Sequence, residues 1–106
     1  MAGLSGIVID RPLRFEIERP VEYRFTDVRD ATRFLGRTVN ISSGGVLFQT
    51  DQSVTVGRKL ELTVRMAKLA PEAPEVDLRL LGVAVRCGQG WAAAHIRKHK
   101  ILPRPL

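Results

Sequence analysis

Two short stretches of this chain carry residue types at spacings that could do binding chemistry. The first is NISSGG, Asn40 to Gly45. An asparagine amide offers two donors and an acceptor. Ser42, two residues on, points to the same side while the backbone stays extended. Gly45 has no side chain to block a flat ligand. Together they would make a polar ledge able to read a base edge or a sugar. The same residues also suit a plain turn, with Asn and Ser bonding locally and glycine taking positive φ. The second stretch is DRPLRFEIE, Asp10 to Glu18. Arg11 and Arg14 present planar forks that pair bidentately with phosphate or with guanine O6 and N7. They can also stack on a purine face. Asp10, Glu16 and Glu18 partly balance them, so a solvated basic stretch is the alternative.

Other chemistries find little support. His95 and His99 are four apart with only Cys87 besides, which makes no metal set. His95 is expected as a strand histidine beside the core. Ser42 and Ser43 lack a nucleophile elbow and obvious His and Asp partners. Acids are scattered on polar strand faces, not paired. No phosphate-loop or dinucleotide fingerprint occurs. A binding module, not an enzyme, is expected. Phe15, Tyr23, Phe25, Phe34, Phe48 and Trp91 are the aromatics, and most fall on apolar strand faces. No exposed aromatic ladder is visible, so nucleic acid is not the expected partner.

The elements that must position these residues are strands. PVEYRF alternates Val21, Tyr23 and Phe25 with Glu22 and Arg24. GRTVNI (Gly36 to Ile41) and GVLFQT (Gly45 to Thr50) flank the ledge. KLELTVRM sets Leu60, Leu62, Val64 and Met66 on one face. VDLRLLGVAVRC (Val76 to Cys87) and GWAAAHI (Gly90 to Ile96) complete six. TDVRDATRFLG (Thr26 to Gly36) reads either as a short helical turn or as an irregular loop. Six short strands without crossover helices predict an antiparallel sheet closing into a small barrel.

The totals agree with one small domain. The chain has 106 residues, 44% of them apolar. Its formal charge is +6, from 17 Lys and Arg against 11 Asp and Glu, which draws anions without choosing among them. A single cysteine rules out an intrachain disulfide and makes the cytoplasm the default setting. No apolar run approaches the roughly 20 residues of a membrane helix, so no membrane insertion is expected. The N-terminus does not read as a signal peptide. Residues 1–14 read as a flexible arm, 15–97 as the barrel and 98–106 as a basic tail.

In this order, the arginine-bearing arm, RPVEYRF, GRTVNISSGGVLFQT, VGRKLELTV and GVAVRCGQGWAAAHI resemble a PilZ domain over about residues 10 to 97. Asn40, Ser42 and Gly45 match the family's D/N-x-S-x-x-G motif between the second and third strands. Aligning the family's R-x-x-x-R motif through RFEIERPVEYR puts its second arginine at Arg14 and its first position on Asp10. Arg11 then offers R-x-x-R. The resemblance implies a six-stranded barrel, and the family's usual C-terminal helix is expected here to be missing or reduced to RKHKIL. It also implies a non-catalytic receptor for the bacterial second messenger cyclic di-GMP, without further cofactor, coupled to a downstream protein. Arg11 and Arg14 would clamp phosphates and guanine edges. Asn40 and Ser42 would bond a base or ribose, and Gly45 would permit close approach. Arg86 is either an added contact or an outward-facing surface residue. The alternative is a PilZ-like protein-interaction module that lost nucleotide binding because Asp10 replaces the first arginine.

Overall fold

A computed structural model describes residues 14–15, 17–66 and 71–104. The strands are β1 (Arg14–Phe15), β2 (Pro20–Phe25), β3 (Phe34–Ser42), β4 (Gly45–Thr50), β5 (Lys59–Arg65), β6 (Val76–Gly88) and β7 (Trp91–Pro103). Every pairing is antiparallel, and the order runs β3–β2–β5–β6–β7–β4, closed by β3 against β4. The predicted six-stranded barrel is therefore the observed one. β1 is an addition to it and takes the same edge of β3 as β2 does. The described residues include no helix, and hence none long and apolar enough to cross a membrane.

The interior follows from strand alternation. Val21 and Tyr23, Val46 and Phe48, and Leu60, Leu62 and Val64 are buried, as are Leu80, Ala84, Ala92, Ala94 and Ile96. Closing the sheet brings these faces together without a second layer. At one end Tyr23 gathers Phe25, Phe34 and Phe48, with ring centroids 5.1 to 5.9 Å away. These tilted and edge-on contacts suit aromatic quadrupoles. The Tyr23 hydroxyl shares a hydrogen bond with the Thr50 hydroxyl, so burying it leaves no orphan group. Burial raises the Tyr23 pKa, the Thr50 bond offsets this in part, and Asp51 adds to it.

Of the two readings of Thr26 to Gly36, the irregular loop holds for Thr26 to Arg33, which is bent and forms no helical turn, and two other segments depart from expectation. The Asp30 carboxylate accepts from the Thr32 amide and hydroxyl, a local bond that competes with helix. β3 begins at Phe34, ahead of the expected Gly36, because Phe34 packs on Tyr23. The second departure is the end of β7, expected at Ile96. The strand continues to Pro103, paired with β6 as far as Val76. Lys98 to Pro103 is thus a ladder strand, not a tail. Its basic side chains remain exposed, which is why polarity alone suggested a tail.

Asp27 ties the irregular segment to the barrel. Its carboxylate accepts from Arg58 Nε and Nη2 and from the Lys59 amide at 3.0 to 3.2 Å. The same guanidinium lies 3.9 Å from the Phe25 ring centroid. The Arg58 bonds, then the Lys59 amide, hold the Asp27 pKa below its ordinary 3.8. A lowered carboxylate adds stability above its ordinary pKa and loses it as pH falls through the lowered value. An Asp27→Asn variant should therefore be less stable at neutral pH and lose less on acidification. Urea midpoints measured across that acidic range check both halves.

Candidate ligand-binding site

Two bulges build one surface. On β3, Thr38 and Ile41 both face the core, although strict alternation would separate them. The register slips between Thr38 and Asn40, so Val39 is the extra residue. Asn40 then stands on the outer face opposite Leu47. On β6, Ala84 faces the core and the register slips again before Arg86. Val85 is the extra residue there, and Arg86 comes opposite Ala93 on the outer face. With Leu47 opposite Ala93, one cross-strand row reads Asn40, Leu47, Ala93, Arg86. The next reads Gly45, His95, Val83. Between the rows lies a shallow depression of about 200 Å³, lined by Asn40, Ser42, Gly45, Arg86, Ala93 and His95 among others.

The floor of this depression is small side chains, and its rim is polar. Ala93 and Gly45 leave room for a flat group. A Cβ at Gly45 would lie 3.3 Å from the Ala94 carbonyl oxygen, tight but not prohibitive. Its φ is ordinary, so it serves the surface rather than a left-handed turn. Ser42 is used locally. Its hydroxyl accepts from the Gly45 and Gly44 amides at 3.1 and 3.3 Å and donates to the Gly45 carbonyl at 3.3 Å. The donated bond is long, so a stronger acceptor arriving at the ledge can take that proton. The turn reading and the ledge reading of NISSGG are thus both met by one side chain.

The arginine arm enters beside this ledge. The Arg14 backbone pairs opposite Ser42, and Phe15 opposite Ile41. Thr38 pins the connection to β2. Its buried hydroxyl donates to the Ile17 carbonyl and accepts from the Arg19 amide at 2.8 Å. The Thr38 amide returns a bond to the Arg19 carbonyl at 2.9 Å. Arg11 and Asp10 lie outside the described residues. Thr38→Val keeps the shape but strips the Arg19 amide of its acceptor and the Ile17 carbonyl of its donor. A cost of about 1–3 kcal/mol is expected. It reads out as a lower urea midpoint with faster exchange at the Arg19 amide.

Of the sequence candidates, Asn40, Ser42 and Gly45 converge, and Arg14 is placed by register next to them. Arg86 joins them: it is outward-facing and it lines the depression. His95 corrects its expectation. It is exposed on the outer face opposite Gly45, not beside the core. The inward alternation of Ala92, Ala94 and Ile96 is the signal that assigns His95 and Ala93 outward. A larger hollow of about 360 Å³ lies elsewhere, around Val21, Leu35, Thr63 and Arg65. Asn40, Ser42, Gly45 and Arg86 do not line it, and part of its polar lining is engaged. The Arg65 carbonyl accepts from Arg19 Nε at 2.7 Å, and Glu22 pairs with Arg33 at 3.5 Å.

The PilZ domain family model matches residues 8–96. No curated protein matches the chain. The match begins ahead of the arginine stretch, spans the barrel, and closes where β7 leaves the depression. The chain belongs to the PilZ domain family, a family of cyclic di-GMP receptor domains.

Proposed function

We propose that this domain is a non-catalytic receptor for cyclic di-GMP that passes ligand binding on to a partner protein. The observation that carries it is the convergence on one outer face of Asn40, Ser42, Gly45 and Arg86, with the Arg14 backbone fixed opposite Ser42. A guanine would lie over Gly45 and Ala93. The Asn40 amide would meet its edge, and the Ser42 hydroxyl would donate to base or ribose. Arg14 and Arg11 would hold phosphates and a guanine edge from the arm, and Arg86 would close the far rim. An anion bridging arm and barrel would order the arm, and the altered surface is what a partner would read. Amide NMR during a cyclic di-GMP titration tests the placement. Asn40, Gly45 and Ala93 should shift first, while Leu35 and Thr63 stay still. Shifts centred on Leu35 and Thr63 would reject it.

Asp10 favours a second reading. An acid at the first position of the R-x-x-x-R motif repels phosphate, and a barrel that no longer binds nucleotide would keep only its protein-interaction role. Asp10→Arg separates the two. Binding that appears only in this variant means the natural site has decayed; binding in both means the remaining groups suffice.

A further inference from the structure

We propose that the outer half of β7 is a docking edge for an acidic, extended segment of a partner protein, taken up as an added β-strand. This surface lies beyond the nucleotide depression, shares only Ser42 with it, and stands whether or not that depression binds cyclic di-GMP.

The geometry is that of a ribbon outrunning its barrel. β4 pairs with β7 only as far as Gly45 opposite His95, and the Ile96 amide bonds the Gly44 carbonyl just beyond. β7 runs on to Pro103 with β6 on one side. Among the described residues its other side has no strand partner from Arg97 to Pro103. Such an edge presents alternating N–H and C=O groups, the template for strand addition.

Charge selects the partner. Arg97, Lys98 and Lys100 are exposed on this edge strand, and Arg79 stands opposite Lys100. None of the four is in an ion pair among the described residues. The nearby acids Glu75 and Asp77 are taken by Arg104. Lysines on an edge can serve only to repel other strands. Here the edge adjoins an apolar hollow of about 170 Å³, lined by Ile41, Leu78, Leu80, Ile96 and His99 among others. Ile101, on the same face as Leu78, is 63% exposed. A purely repulsive edge has no use for an apolar socket, whereas an added strand has a side chain to fill it. Nucleic acid fits less well. Phosphates accept but do not donate, so the strand carbonyls would go unmet, and among the described residues the large exposed apolar ones are all aliphatic.

The test uses a short fluorescent peptide alternating Glu and Val, titrated into the full chain. Its controls are the same peptide N-methylated on alternate residues, a Lys–Val peptide, oligothymidine and phosphatidylglycerol vesicles. The Glu–Val peptide should bind saturably and the other probes should not. Lys98→Glu with Lys100→Glu should weaken it about tenfold or more. Ile101→Asp should weaken it too, and both variants should keep the parent's melting temperature because these side chains are exposed. Equal binding by the N-methylated peptide would overturn strand addition. Binding only to oligothymidine or vesicles would assign the strip to those polyanions. Peptide binding that emerges only once residues 1–13 are removed would assign the edge to the chain's own N-terminal segment. Either of these last results would also overturn the proposal.

Discussion

Arg14→Ala is expected to weaken cyclic di-GMP binding about a hundredfold while leaving the melting temperature of the free domain unchanged. A bidentate guanidinium–phosphate pair combines two charge-assisted hydrogen bonds, each contributing about 1.5–3 kcal/mol. A hundredfold loss is about 2.7 kcal/mol, just under the roughly 3 kcal/mol that two such bonds provide at least. The fold gives little up, because β1 is only Arg14–Phe15 and Thr38 independently anchors the next residues. With Asp10 at the first motif position, Arg14 has no arginine there to share the load. Arg86→Ala and Asn40→Ala should each cost about tenfold, since each removes a rim contact rather than the clamp. Calorimetric titration of the three variants ranks them. An Arg14→Ala affinity equal to the parent's would remove the arm from the site.

Gly82→Ala should be, with Gly36→Ala, among the most damaging single-methyl changes for stability, at about 3 kcal/mol. Gly82 pairs with Ile96 where the β6–β7 register slips, and an added Cβ would run into the His95 carbonyl oxygen. That obstacle is backbone in the longest ladder of the barrel, so it cannot rotate aside. The φ of Gly82 is ordinary, and the cost is overlap, not a left-handed backbone. For a domain of this size, 3 kcal/mol lowers the melting temperature by roughly 15 °C. Two comparisons isolate the cause. Gly57→Ala adds a methyl to open space at φ +96°, where only backbone strain of about 1 kcal/mol applies. Gly45→Ala should melt within a few degrees of the parent yet bind ligand less well, because its methyl sits on the ledge. A Gly82→Ala domain melting within about 3 °C of the parent would show that the ladder shifts freely.

Much of this fold was legible because period-2 alternation is strong where one face is buried. Leu60, Leu62 and Val64 announce β5 without help. The signal failed where both faces meet water. From Arg97 to Lys100 no face is apolar, so only pairing with β6 reveals that β7 continues. The bulges were equally hidden. Whether Val39 or Val85 is skipped depends on which residues the partner strands offer, and a single strand does not encode that. Their effect is nevertheless decisive for the site. Each bulge reverses the facing of the residues after it, and the Val85 bulge is what turns Arg86 outward. The N-x-S-x-x-G spacing was legible because it is local: Asn40 and Ser42 lie beyond the Val39 bulge and share a face as alternation demands. His95 was misjudged through its apolar neighbours, which point the other way.

Isothermal titration of the full chain with cyclic di-GMP, paired with a thermal melt, meets the central claim most directly. Saturable heat with a dissociation constant of about 1 µM is the expected result. The melting temperature should rise with ligand concentration, as it must when ligand binds only the folded state. No heat and no thermal shift at roughly a few hundred micromolar ligand would contradict the account, leaving the domain as a barrel that binds protein alone.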